Sequence, residues 1–234
     1  NGFFPVLSKL ERKLFGWIPF SIGDIVYFFG LIYLLLQLIK VIKKKPASWT
    51  NYFLKTTNKI SVIYFIFHLM WGLNYYRMPL FEKMNIKKEY SKAELIQFTN
   101  RLIEKTNQIQ FKITKNKNQR VTNLSENSTL FTVSQNGYKK LAESYPDFNY
   151  IQPSQKESLF SKPLTYMGFS GYLNPFTNEM QVNYMVPKTS KPMVVCHEMA
   201  HQIGYASESE CNFIGFLAAV HNDDLFFQYS AYAN

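Results

Sequence analysis

A chain of 234 residues, 47% hydrophobic and only 18% charged, has room for one folded domain and a membrane anchor. Its net charge of +10 is unevenly placed: residues 1–80 hold 10 Lys and Arg against 2 Asp and Glu, and residues 81–234 hold 16 against 14. An excess confined to the neighbourhood of hydrophobic helices argues against a nucleic-acid footprint, and two cysteines are too few for a disulfide framework, so Cys196 and Cys211 read as buried thiols.

In chain order, residues 22–42 (IGDIVYFFGLIYLLLQLIKVI) are a mostly apolar run of bilayer-spanning length. Residues 60–73 (ISVIYFIFHLMWGL) form a second run, extended backward to predict a second transmembrane helix over about 56–74. The first run starts too late and is too long for a cleavable signal peptide. The link between the runs carries Lys43, Lys44, Lys45, Lys55 and Lys59 without an acid, which places it in the cytoplasm and everything beyond the second run outside. An outside start requires an earlier span, and the absence of an initial Met agrees with a fragment of a longer protein. Polar His68 in the second run reads as a histidine bonded to a neighbouring helix, and Asn74–Arg77 as an interfacial belt, with Tyr75 or Arg77 as oxyanion candidates alongside Tyr184.

Ser91 and Glu94 spell a capping box before Leu95, Phe98, Leu102 and Ile103, which predicts a helix. Residues 112–128 read as an exposed polar loop, 132–145 as a helix ending before Pro146, and 149–163 as irregular. Leu164–Leu173 and Glu179–Met185, joined by turn-forming NPFTN, predict a β-hairpin. Ser190 and Pro192 then start a helix that Gly204 ends, and a further helix covers about 206–220.

The first of these two helices carries the chemistry. His197 and His201 are four residues apart and lie one above the other on one helical face, the spacing at which two imidazoles bind one Zn²⁺. Glu198 stands beside them, where a carboxylate can take a proton from activated water. Composition alone yields roughly 0.004 such HExxH matches by chance. A third ligand is needed, and Glu208 or Glu210 can supply it. The two lie about 160° apart on their helix, so only one can ligate; Glu208 is favoured because Asn212 shares its face and can hold a histidine or the ligand carboxylate. Gly168, Ser170 and Gly171 on the hairpin would let a substrate backbone approach a strand edge, while His221 is a weaker ligand candidate.

HEMAH with Glu208 and Asn212 resembles the gluzincin branch of the zincin metallopeptidases, though Glu208 follows His201 by only seven residues, closer than is usual there. WGLNYYR (71–77), GFSGYLNPFTNEMQVN (168–183) and HEMAHQIGYASESECNF (197–213) resemble a family of bacterial membrane proteins described as zinc peptidases. The resemblances imply an α+β, mainly helical fold: a membrane anchor over 1–80 with two transmembrane helices, then a zincin-like catalytic domain over 81–234. They imply a zinc-dependent metallopeptidase in the bacterial inner membrane, facing the periplasm or exterior, that hydrolyses peptide or protein substrates with Glu198 as general base. Its partners would be substrate and lipid bilayer, with no nucleic acid. The competing expectation is a non-catalytic membrane protein with a structural or vestigial metal site. An intramembrane protease is disfavoured, since 188–212 is too polar for a lipid-facing span.

Overall fold

The computed structural model describes residues 2–122 and 126–234. The chain is mainly helical. Among the described residues, helices α1 (Phe3–Phe15), α2 (Ile22–Lys43), α3 (Trp49–Met70), α4 (Leu80–Lys83), α5 (Lys92–Thr114) and α6 (Asn127–Ser144) come first. Strand β1 (Gln155–Glu157), α7 (Ser161–Met167), β2 (Gly171–Leu173) and β3 (Met180–Val182) follow, and α8 (Lys191–Gln202), α9 (Glu208–His221) and α10 (Leu225–Ala233) complete the fold.

The centre of the domain is α8. It packs on α9, α10, α6 and β3, and its Val195, Cys196, Met199 and Ala200 are fully buried with Tyr138, Leu141, Ile214 and Phe227. Tyr138 can lie in this core because its hydroxyl donates to the Cys196 carbonyl at 2.6 Å, which removes the penalty of an unpaired buried polar group. Both thiols are free and buried, as expected. The small sheet has the order β1-β3-β2: β3 pairs in parallel with β1 (Lys156 opposite Gln181) and antiparallel with β2 (Tyr172 opposite Gln181).

The predicted hairpin is therefore real but short. Residues 164–167 are helix, not strand, because a helical turn starts at Ser161 and the carbonyl of Phe160 and is closed by Gly168 in the left-handed region. The segment 149–163, read as irregular, contributes β1, which three residues of pattern could not announce. The Ser91–Glu94 capping box is present. Helix α5 extends to Thr114, past the start of the predicted 112–128 loop, and α6 begins at Asn127; residues 123–125 of that loop lie outside the described residues. Pro192 lies in the first turn of α8 as predicted, whereas the Ser190 side chain makes no capping bond.

The two predicted spans differ. At 22 residues, α2 is the one described helix long and apolar enough to cross a membrane, and an apolar helix near the N-terminus suits an anchor or a signal sequence. The second expected span is corrected: α3 is equally long, but Lys55, Asn58 and Lys59 in its first half and His68 near its end break the apolar run. Lys59 donates to the Tyr33 hydroxyl of α2 at 3.0 Å. His68 is bonded within its own helix, to the Tyr64 carbonyl at 3.1 Å, and not to a neighbouring one.

The base of α2 is fastened to the sheet. Glu179, wholly buried, accepts from the backbone N–H groups of Ile22 (3.2 Å) and Gly23 (2.6 Å), so a carboxylate meets the positive end of the helix. Asp24 accepts from the N–H of Leu159 at 2.7 Å and from the Tyr172 hydroxyl. Helix α1 docks by its polar side: Ser8 donates to the Gln202 carbonyl at 2.8 Å, and the Arg12 guanidinium lies 5.2 Å from the centre of the Tyr150 ring. Beside it, Glu11 is buried with neither carboxylate oxygen hydrogen-bonded. Burial raises its pKa from 4.5 to about 7 against the opposing pull of Arg12. A raised folded-state pKa means that this stabilisation is complete below about 4.5 and is lost as pH rises through about 7. We therefore expect the thermal midpoint to fall more between about pH 5 and pH 8 in the native chain than in Glu11→Gln; equal falls in both proteins would refute the assignment.

Candidate metal centre

Helices α8 and α9 meet at a close crossing, joined by the turn at Gly204, whose φ of +94° only glycine adopts without strain. Gly215 of α9 faces the motif: a Cβ there would stand 2.9 Å from the His197 backbone nitrogen. With no side chain between them, the helices approach until the first turn of α9 reaches the two histidines.

The result is a convergence of three ligand atoms. Glu208 Oε2 lies 3.1 Å from His197 Nε2, and Glu208 Oε1 lies 3.5 Å from His201 Nε2. One ligand atom from each residue falls within 4.8 Å of the others. Two ligands bound about 2.0–2.1 Å from a tetrahedral zinc stand about 3.3–3.4 Å apart; the two nitrogen–oxygen contacts, each to a different oxygen of Glu208, lie near that distance, and the three residues together lie within reach of one ion.

The far side of each ring is pinned. His201 Nδ1 is 2.8 Å from the Tyr205 carbonyl, which can only accept, so this nitrogen carries a proton and Nε2, facing Glu208, is the nitrogen left for a cation. His197 Nδ1 is 2.8 Å from Asn212 Oδ1. Cys211 Sγ lies 3.2 Å from both His201 Nδ1 and the Tyr205 carbonyl. A lone pair on each Nε2 would then face a carboxylate oxygen, an arrangement that needs a positive charge between them, either a proton or a metal ion. Burial lowers the pKa of His197, and His201 lowers it further. Burial would also lower His201, but its bonds to Cys211 and Glu208 prevail and push it up to about 11. Glu208 is held below the ordinary carboxylate value, first by its bond to His201. A cation that replaces the shared proton would meet an ionised carboxylate and two oriented imidazoles.

Glu198 lines the same cleft, of about 490 Å³, from the turn beside His197. It is buried, its Oε2 has no hydrogen-bond partner, and burial raises its pKa from 4.5 to about 7. Opposite it runs β2, an edge strand of the sheet among the described residues, and Gly171, Tyr172 and Leu173 line the cleft. A Cβ on Gly171 would lie 2.7 Å from Glu198 Oε1. Gly171 therefore makes room for the glutamate, a role the sequence reading did not assign it. Ser170 and Gly168 also line the cleft, and Gly168 in addition caps α7.

Sequence reasoning left Glu208 and Glu210 open. Glu210 turns away and accepts from the Leu80 N–H at 2.5 Å, outside the ligand group. His221 also stands apart, bonded to the Leu217 carbonyl at 2.7 Å. Tyr75 lines the cleft, whereas Arg77 does not: it donates to the Gly204 carbonyl at 2.5 Å and stacks over Tyr205, 4.4 Å from the ring centre, closing the carbonyl end of α8. Tyr184 is half exposed and does not line the cleft. Sequence reasoning missed the Tyr205 carbonyl, which has no side-chain signature, and Trp71, whose ring lies 6.0 Å from that of His201.

No curated protein and no solved structure matches the chain. Over residues 1–234 it matches the model of one family, and the chain belongs to that family, described as Protein of unknown function (DUF3810).

Proposed function

We propose that this chain is a zinc metallopeptidase of zincin-like design, anchored in a membrane by α2. The observation that carries the proposal is the convergence of His197, His201 and Glu208, with one ligand atom from each within 4.8 Å of the others and both rings oriented from behind. Two imidazoles and one carboxylate are the ligand set of catalytic zinc sites in which a fourth position stays open. Zinc held there would supply a Lewis acid and a water that loses its proton near neutral pH.

The rest of the chemistry belongs to the chain. Glu198 in its carboxylate form would take a proton from the attacking water, and a pKa raised by burial lets it release that proton to the leaving amine. The free edge of β2 can pair with an extended peptide by main-chain hydrogen bonds and so lay a scissile carbonyl along the cleft. Asn212 and the Tyr205 carbonyl hold the rings in register throughout. The basic end of α2, at Lys43–Lys45, suits the cytoplasmic side, and α3, which runs beside α2 through the Lys59–Tyr33 bond, would then carry the chain back to the domain on the outer face, although it is not apolar enough to span alone.

Two tests follow. Reconstituted protein should contain about one zinc per chain and cleave a quenched fluorescent peptide library. His197→Ala should lose the metal, and Glu198→Gln should keep it while hydrolysis drops by about 10²–10⁴-fold; full activity in Glu198→Gln would eliminate this residue as the base. Gly171→Ala should also retain zinc and lose most hydrolysis, because the new methyl meets both the Glu198 carboxyl and the Gln181 carbonyl of β3 and shifts one against the other. Unchanged kcat/KM in that variant would show that the close approach is irrelevant to the reaction.

A further inference from the structure

The polarity of α1 is inverted. Its buried residues are Ser8, Glu11 and Arg12, whereas Phe3, Val6, Leu10 and Leu14 form a solvent-facing stripe, with Val6 69% exposed. The stripe continues into Trp17, 79% exposed, and Phe20, directly before α2. Lys9 and Lys13 flank it, a pattern of apolar stripe and basic margin typical of helices that lie in a membrane interface.

Position identifies the occupant. The N-terminal end of α1 packs where α3 ends: Phe4 meets Trp71 at 5.7 Å between ring centres, and Phe3 and Phe4 share a small groove with Leu69 and Leu73. Its other end leads, within seven residues, into α2. Helix α1 thus runs across the level at which α2 leaves the domain. Beyond its base α2 has no fully buried residue, and apart from the side where Lys59 of α3 meets Tyr33 it exposes a broad apolar surface over most of its length, of the kind a bilayer covers. Whatever surrounds α2 meets the continuous stripe on α1.

A second patch lies at the same level. Leu159, whose N–H is held by Asp24 at the base of α2, opens a segment that exposes Tyr166 (83%), Met167 and Phe169. Phe169 also lines the cleft.

We propose that the apolar stripe of α1 and the α7 rim at Tyr166–Phe169 lie in the headgroup layer of a lipid bilayer, which brings the mouth of the cleft to the membrane surface. The proposal rests on α2 being a membrane span, and the test separates the two. Single cysteines at Val6, Tyr166, Leu34 and Lys139, each labelled with bimane, are placed in phosphatidylcholine–phosphatidylglycerol vesicles carrying 5-doxyl or 12-doxyl lipid; the native thiols are buried. Labels in Val6→Cys and Tyr166→Cys should be quenched more by the shallow 5-doxyl group, Leu34→Cys more by the deep 12-doxyl group, and Lys139→Cys, on the polar outer face of α6, by neither. If Leu34→Cys is quenched but Val6→Cys or Tyr166→Cys is not, the interfacial placement is overturned and the span stands. If Leu34→Cys is unquenched, the span fails and the placement with it.

Discussion

Two imidazole nitrogens and one carboxylate face one another where α8 crosses α9, and a positive charge has to lie between them. The spacings of 3.1 and 3.5 Å are set by the backbone, through the Gly204 turn and the close approach at Gly215, and not by flexible side chains finding one another at the surface. Much of the domain serves that crossing. Tyr138 ties α6 to the Cys196 carbonyl in the middle of α8, Arg77 closes the carbonyl end of α8, and the Tyr205 carbonyl reaches back to His201. The first two bonds hold the backbone of α8, and the third limits how far the His201 ring can swing, the restraint that the proposed metal site would need.

The sheet is small because its task is narrow. Three strands of three residues cannot form an independent core. They do hold β2, an edge strand, along the cleft, with a glycine where Glu198 needs space. The same hairpin carries Glu179 and Tyr172, which grip the base of α2. The edge that would receive a peptide and the helix proposed to enter the membrane are thus parts of one hydrogen-bonded unit, so cleft and anchor are positioned together.

The parts of this arrangement that were legible in the sequence are those governed by helical period. The i, i+4 pair His197 and His201, the phase that favours Glu208 over Glu210, and the face shared by Glu208 and Asn212 follow from 100° per residue. The capping box at Ser91 and the apolar run of α2 were equally plain. What stayed hidden depends on long-range contacts. Residues 164–167, read as the start of a strand, fold as helix, with Ser161 and Leu164 of that helix buried against the domain. Residues in β1 acquire a strand only by lying beside β3. The anchoring of α2 by Glu179, 156 residues away from Gly23, has no local signal, and neither has a carbonyl acceptor such as that of Tyr205. The second run misled because its apolar half was read without the weight of Lys55 and Lys59.

The most direct test of the metal centre is X-ray absorption at the zinc edge on protein purified without added metal. Coordination by His197, His201 and Glu208 predicts two imidazole nitrogens at about 2.0–2.1 Å and oxygen at about 2.0–2.2 Å, with no sulfur. A sulfur shell at about 2.3 Å would place Cys211 or Cys196 on the metal, and an all-oxygen shell would remove the histidines; either result would contradict the site.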